Sequence, residues 1–232
     1  MSMDACKGER ISVIIPAFNE EENIEATLES LGSISQIVEI IVVDDASQDN
    51  TASLARKKGA TVVSMPHNRG KGGAMEEGIK MAKEEVIAFL DADLGRSAGE
   101  VTKLLQPILL HQADMVIAAW PGKKKGEGGF GMVLGLAKWG IKALTGYVAV
   151  SPLSGQRVVR KKYLSSLESG FGVEVGMTVD CLRRGGEIKE IPVAMQHRRT
   201  RRDLKGFRHR GKQFVDVGRV LTKKFLERCT WK

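Results

Sequence analysis

Cysteine is scarce in this 232-residue chain, confined to Cys6, Cys181 and Cys229. None stands at CxxC spacing, and so sparse and odd a set excludes a secreted disulfide framework and points to a reducing cytoplasm. Neither HExxH nor GxSxG occurs, so zinc proteolysis and triad hydrolysis have no footing. Long apolar runs are missing as well: "IIVV" and "VIAFL" fall far short of the roughly 20 residues that a membrane-spanning helix needs. The opening "MSMDACKGER" has no apolar stretch of the kind a signal peptide carries. A cytoplasmic protein is expected, soluble or held peripherally at a membrane. Aromatic residues make up only 5% of the chain, few rings for stacking on bases, so nucleic acid is not expected as a partner.

What is present is an apolar fraction of 42%, enough for one substantial core, in a length near the upper size of a single α/β domain. One domain over residues 1–232 is expected, with a nucleotide-binding half (11–95), an acceptor half (96–200) and a basic extension (201–232). The formal charge of +8 is concentrated in "HRRTRRDLKGFRHRGK", residues 197–212, where Asp203 is the single acid. Such a patch suits something anionic: nucleic acid, an acidic membrane surface or a phosphorylated substrate, against the plainer reading of a solvated tail.

Strands and helices alternate over the first hundred residues. "ISVIIP" reads as a β-branched strand ended by Pro16, and the helix after it carries Ile24, Leu28 and Leu31 at helical spacing. "VEIIVVDD", "TVVSM" and "VIAFLDAD" read as three more strands, separated by the helical stretches that follow Asn50 and Gly72. This alternation predicts a mostly parallel, Rossmann-like sheet with helices on both faces. Further on, "SAGEVTKLLQPILLHQ" predicts a helix interrupted by Pro107, "ADMVIAAW" a strand, and "PGKKKGEGGFG" a mobile glycine-rich loop. "MVLGLAKWGIKALTG" and "EVGMTVDCLRRGG" predict helices, the second closed by glycine. "EIKEIPVAMQH" predicts a last strand, followed by the basic segment and a final helix.

Ligands of open α/β sheets bind outside the carboxyl ends of the strands. The first, second and fourth strands run there into Asn19 and Glu20, into Asp44 and Asp45, and into Asp91 and Asp93. Two carboxylates one residue apart at the end of a buried strand are costly unless a cation or water reaches both. Magnesium or manganese carrying nucleotide phosphates would answer that cost. The plainer alternative has Asp93 capping a helix near Ser97 while Asp91 holds loop amides. In "HNRGKGGAM", Lys71 could meet phosphate or ribose oxygens, or Gly70, Gly72 and Gly73 could simply make a tight turn with Lys71 solvated; neither P-loop nor GxGxxG spacing is present. His197 is a competent ligand for manganese, and equally an ordinary surface histidine.

Taken in order, "VIIPAFNEEENI", "IIVVDDASQDNT", "NRGKGGAMEEGI" and "VIAFLDADL" closely resemble the family 2 glycosyltransferases of the GT-A fold, over roughly residues 11–197. The resemblance implies that Pro16, Ala17, Asn19 and Glu20, with Asp44 or Asp45, hold the nucleotide, and that Lys71 is the lysine of a GKG turn. Asp91 and Asp93 would be the DxD pair, Asp93 the more direct metal ligand. Downstream, "SPLSGQRVVRKKYL" and "GFGVEVGMTVDCLRRGGEIKEIPV" resemble glucosyl-3-phosphoglycerate synthases and, more loosely, polyprenyl-phosphate sugar transferases. By the closer resemblance His197 completes the metal site, Glu174 faces donor sugar or acceptor, Ser154 and Gly155 line the sugar pocket, and the anomeric configuration is retained.

The expected reaction is therefore metal-dependent transfer of a sugar from a nucleotide-sugar donor, UDP-glucose favoured, to an anionic phosphorylated acceptor such as 3-phosphoglycerate. Polyprenyl phosphate is the alternative acceptor; the lack of a hydrophobic anchor and the basic segment favour the small one. An anionic acceptor oxygen needs no base, whereas a hydroxyl acceptor in an inverting enzyme would need Glu174 or Asp180. Glu174 could also be no more than an acid at a helix N-terminus. A peripheral membrane contact and a homodimer are further expectations. A basic nucleic-acid-binding module would explain "RRTRRDLKGFRHR" but not the acidic rim, and a sugar nucleotidyltransferase would need a GxGxRL-type signature near Ile11 that is absent.

Overall fold

The computed structural model describes residues 9–120, 130–164, 167, 170–196 and 204–229. Its frame is a seven-stranded sheet in the order β3-β2-β1-β4-β6-β5-β7. The strands are β1 (Ile11–Ala17), β2 (Ile37–Asp44), β3 (Thr61–Ser64), β4 (Val86–Phe89), β5 (Met115–Ala119), β6 (Arg157–Arg160) and β7 (Ile188–Pro192). β1 pairs in parallel with β2 and β4, β2 with β3, and β5 with β7, while β6 runs antiparallel to both β4 and β5. The expected mostly parallel sheet is present, with one reversed strand that the apolar pattern did not reveal.

Alternation along the strands splits the core into two layers. Val13 and Ile15 pack under α1 (Ile24–Gly32) and α4 (Val101–Leu109), against Leu28, Leu31, Leu104 and Ile108. Ile14, Ile41, Val43 and Phe89 face the other way, against Met75 of α3 (Gly70–Met81) and Val173 and Met177 of α6 (Val173–Arg183). A third cluster joins α5 (Phe130–Thr145), α6 and α7 (Leu204–Cys229) through Val133, Ile141, Val179, Val217 and Leu221. The short α2 (Thr51–Lys57) completes the first half.

Several boundaries differ from expectation for identifiable reasons. Pro16 lies inside β1 rather than ending it, paired with Val43. The Ile14 carbonyl accepts from Leu90 N on the β4 side, so Pro16, two residues on, turns its missing N–H to the same side, where the β4 ladder has already stopped at Phe89. Pro107 sits within α4 rather than interrupting it, and the helix ends two residues later at Leu109; the backbone donor that proline removes is lost from the last turn. α6 does close on glycine: Gly185 adopts φ +77, and Gly186 N donates to the Cys181 carbonyl at 2.9 Å. β7 stops at Pro192, and α7 starts at Leu204, inside the basic segment. The glycine-rich stretch 121–129 and residues 197–203, His197 among them, lie outside the described residues.

Candidate active site

At the carboxyl end of β1 the chain turns through Phe18 and Asn19, and Asn19 takes φ 55, a left-handed conformation that asparagine tolerates better than most residues. The turn is laced to the loop after β2. Asn19 N donates to Ser47 Oγ at 3.0 Å and its Oδ1 accepts from Gln48 N at 2.8 Å. Glu20 N donates to Thr51 Oγ1 at 2.8 Å, and the Glu21 carboxylate accepts from Asn50 N at 3.1 Å. Asp45 N closes the seam on the Ala17 carbonyl. The segment "PAFNEE" and the segment "DDASQDNT" thus stand as two walls at the carboxyl end of the sheet, joined by main-chain and side-chain bonds.

Asp44 and Asp45 are both buried, but they are employed differently. Asp44 Oδ1 accepts from Ser47 N at 3.2 Å, which tightens the β2 turn. Asp45 reaches across to the start of α3, where its two oxygens accept Arg69 N at 2.7 Å and Gly70 N at 2.8 Å. A carboxylate on the first free amides of a helix satisfies donors that otherwise lack partners and favours the positive end of the helix dipole. Asp45 therefore engages two amides of the glycine-rich turn that are otherwise suited to phosphate. α3 begins at Gly70, so Lys71 stands on the first turn of a helix rather than in a loop.

That placement carries Lys71 to the centre of the rim. Its ammonium lies 2.6 Å from Asp91 Oδ1 and 3.4 Å from Glu174 Oε1. Burial alone would lower the Lys71 pKa, but the two facing carboxylates, Asp91 foremost, outweigh it and hold the group above the ordinary lysine value. Lys71 is therefore cationic throughout the physiological range. Gly155 fits because it has no side chain: a Cβ there would stand 2.2 Å from Lys71 Nζ and 3.2 Å from Asp91 Oδ1. Asp91 also accepts Gln156 Nε2 on its second oxygen at 2.5 Å.

Asp93 follows in the first turn of the 3-10 segment Ala92–Glu100. Buried Thr27 of α1 pins that turn, donating to the Ala92 carbonyl at 2.9 Å and accepting Gly95 N at 2.8 Å. A first helical turn starts at Ala92, and the chain kinks at Gly95, φ 52 and ψ −140, before a second turn begins near Ser97. Carboxylate oxygens are hard donors suited to magnesium or manganese, with phosphate and water in the remaining positions; Asp91 and Asp93 fit a metal of that class. Among the described residues no three His, Cys, Asp or Glu side chains gather as a metal centre, and the expected third ligand, His197, lies outside them.

The structure adds residues that sequence reading passed over. Arg157, completely buried, donates from its Nη2 to the Ser154 carbonyl at 2.6 Å and from its Nη1 to the Glu174 carbonyl at 2.9 Å. It ties the segment before β6 to the first turn of α6, and so holds Gly155 and Glu174 on either side of Lys71. Burial pulls its pKa down to about 10, with the Glu174 carboxylate opposing. In sequence, Arg157 stands in "QRVVRKK" among Arg160, Lys161 and Lys162, with no local signal of burial. Ser154 is buried, its hydroxyl on the Gln156 carbonyl. Glu190 of β7 holds the preceding loop, accepting Ser151 N at 2.6 Å, Val150 N at 2.7 Å and the Tyr147 hydroxyl at 3.0 Å. Asp180 is taken by Lys224 of α7 at 2.8 Å, which leaves Glu174 as the α6 carboxylate at the Lys71 cluster. A hollow of about 350 Å³ lined by Glu85, His111, Asp114 and Arg160 opens at the amino end of the parallel strands, away from Lys71, where Arg160 pairs with Glu9.

The comparisons with known proteins fall on the same frame. The family model described as Glycosyl transferase family 2 matches residues 12–164. An uncharacterised protein of Methanocaldococcus jannaschii, MJ1222, is 32% identical over 197 residues, 80% of this chain and 81% of that protein. The undecaprenyl-phosphate mannosyltransferase of Micrococcus luteus is 29% identical over 82% of this chain and 84% of its own length. The crystal structure of glucosyl-3-phosphoglycerate synthase from Mycobacterium tuberculosis, in complex with Mn2+, UDP-glucose and phosphoglyceric acid, superposes with a TM-score of 0.78 at 28% identity, covering 94% of this chain and 80% of that one. The matched span takes in β1, β2, α3, β4 and the segment before β6, the very elements that converge on Lys71, and the chain belongs to glycosyl transferase family 2, a glycosyltransferase of the GT-A fold.

Proposed function

We propose that this glycosyltransferase moves a sugar from a nucleotide-sugar donor, UDP-glucose favoured, to a small phosphorylated acceptor such as 3-phosphoglycerate, with Mg2+ or Mn2+. The observation that carries this reading is the Lys71 ammonium held between Asp91 and Glu174 against Gly155, on the rim where Asp93 also stands. The two laced walls, Pro16 to Glu20 and Asp44 with its loop, would take the nucleotide. Asp91 and Asp93 would hold the metal, joined by His197; when bound, the metal offsets negative charge on the departing diphosphate. Lys71 adds a fixed positive charge beside that leaving group, already oriented before the donor arrives. Ser154 and Gly155 would border the sugar, and Glu174 would face the sugar or the incoming acceptor. An acceptor phosphate or carboxylate oxygen attacks as an anion and asks no proton of the protein.

The likeness to the undecaprenyl-phosphate mannosyltransferase, over 84% of its length, supports a second reading in which the acceptor is a polyprenyl phosphate. Assays with UDP-glucose and 3-phosphoglycerate, run beside assays with polyprenyl phosphate, separate the two. Turnover with the lipid alone would overturn the first. The Asp93→Ala variant should lose metal-dependent turnover while keeping the wild-type circular dichroism and melting temperature, because a rim carboxylate does not support the core. Full activity in that variant would sink the metal assignment, and titration of UDP and GDP with and without manganese would read base preference at the same time.

A further inference from the structure

A helix that is apolar on every side is ordinarily buried on every side, and α5 breaks that rule. Val133, Ala137, Gly140, Ile141 and Leu144 face the core, with Gly140 placed where a Cβ would lie 2.4 Å from Leu221 of α7. The opposite face holds Met132, Gly135, Trp139 and Ala143, all exposed, Met132 at 73% and Trp139 at 62%. Along its edge stand Lys138 and Lys142, which form no ion pair among the described residues. No acid occurs between residues 128 and 167. α7 runs alongside, its Phe225 ring 6.2 Å from that of Trp139, and adds exposed Arg219, Lys223 and Leu226.

We infer that the outer face of α5 is a docking surface for an anionic lipid bilayer. Between Met132 and Ala143 the helix presents an apolar strip about 17 Å long, with an indole to sink into the acyl boundary and lysines whose stems can lie along the surface while their ammonium groups meet acidic headgroups. Charge also selects against a second copy of the chain. A two-fold contact sets a patch against itself, which would gather Lys138 and Lys142 of both copies into one contact to which α5 brings no acid. The inference does not rest on the acceptor proposed above, since a transferase can work at a membrane surface on either kind of acceptor.

Sedimentation of the full chain with vesicles of phosphatidylcholine, alone or mixed with phosphatidylglycerol, tests this directly. Binding is expected with the anionic vesicles, weaker in high salt and weakest with phosphatidylcholine alone. M132S/W139S should lower the partition by about tenfold or more, and K138E/K142E should lower it at low salt, both with unchanged circular dichroism. Fluorescence keeps the test open should a variant fold poorly: in a W231F background, acyl-brominated lipids should quench emission, and W231F/W139F should lose that quenching. Absence of binding overturns the inference, as does wild-type binding by M132S/W139S, which would move the contact to the basic segment at 197–212. A dimer that M132S/W139S converts to monomer would give the face to a second copy and overturn it equally.

Discussion

Lys71 faces two carboxylates at once, and each neighbour answers to its charge. Replacing it with methionine keeps the bulk of the stem but leaves Asp91 and Glu174 facing one another uncompensated. Turnover should fall by about 10²- to 10³-fold, the usual cost of losing one preorganised electrostatic group, read as kcat/KM for the nucleotide-sugar donor. Gly155→Ala should harm the same step by a different route, since its methyl occupies the place of the ammonium. Because both changes act on one contact, their effects in the double variant should be far from additive. Additive losses would mean that Gly155 and Lys71 serve separate steps. Gln156 belongs with them: its amide donates to Asp91, and its Oε1 is buried with no hydrogen-bond partner among the described residues, a polar cost that a packing residue would not carry.

At the scale of elements, the height of α3 above the sheet decides where Lys71 ends up. Gly78 lets the helix lie against β1 so closely that a Cβ would stand 2.4 Å from Ile14 Cγ2. Gly78→Val should cost about 1–3 kcal/mol by overpacking, seen as a lower urea midpoint, and should lower turnover further by lifting Lys71 away from Asp91. An unchanged midpoint would show that α3 can shift freely. The first half of this architecture was legible because β1, β2 and β4 are near-continuous apolar runs that end in polar groups, and because short connections leave a parallel sheet few alternatives. The direction of β6 was not legible: "RVVR" has no local signal for running antiparallel, which comes only from pairing with β4 and β5 on both sides. For the same reason the contact of the Asp45 carboxylate with Arg69, 24 residues away, was not legible. Lys71 was legible by its GKG turn, and Arg157 was not, since burial of an arginine is a property of the assembled layers.

The molecule as a whole should show its packing in alkali. Cys181 is fully buried in the layer between α6 and the sheet, and burial, assisted by the Asp114 charge, pushes its thiol up to about 12. A thiol whose folded pKa is raised adds stability that is complete below its ordinary value of about 9 and is lost as pH climbs toward the folded value. Arg157 has the opposite sign, its folded pKa lying below the unfolded one, and returns some stability above about pH 10. The wild type should therefore lose more melting temperature between about pH 8 and pH 10 than Cys181→Ala does, and native Cys181 should resist thiol reagents until the chain unfolds. Equal pH slopes, or rapid labelling of the native protein at Cys181, would contradict the burial described.

The single reversed strand also divides the labour of variation. Where β1, β2 and β4 deliver residues to the rim after they end, β6 delivers Ser154, Gly155 and Gln156 before it begins, and the residues after it go to the amino end of the parallel strands beside Glu9. A lengthened or rewritten segment between α5 and β6 would thus act on the Gly155 side of Lys71 and leave the bonds between the β1 and β2 turns as they are.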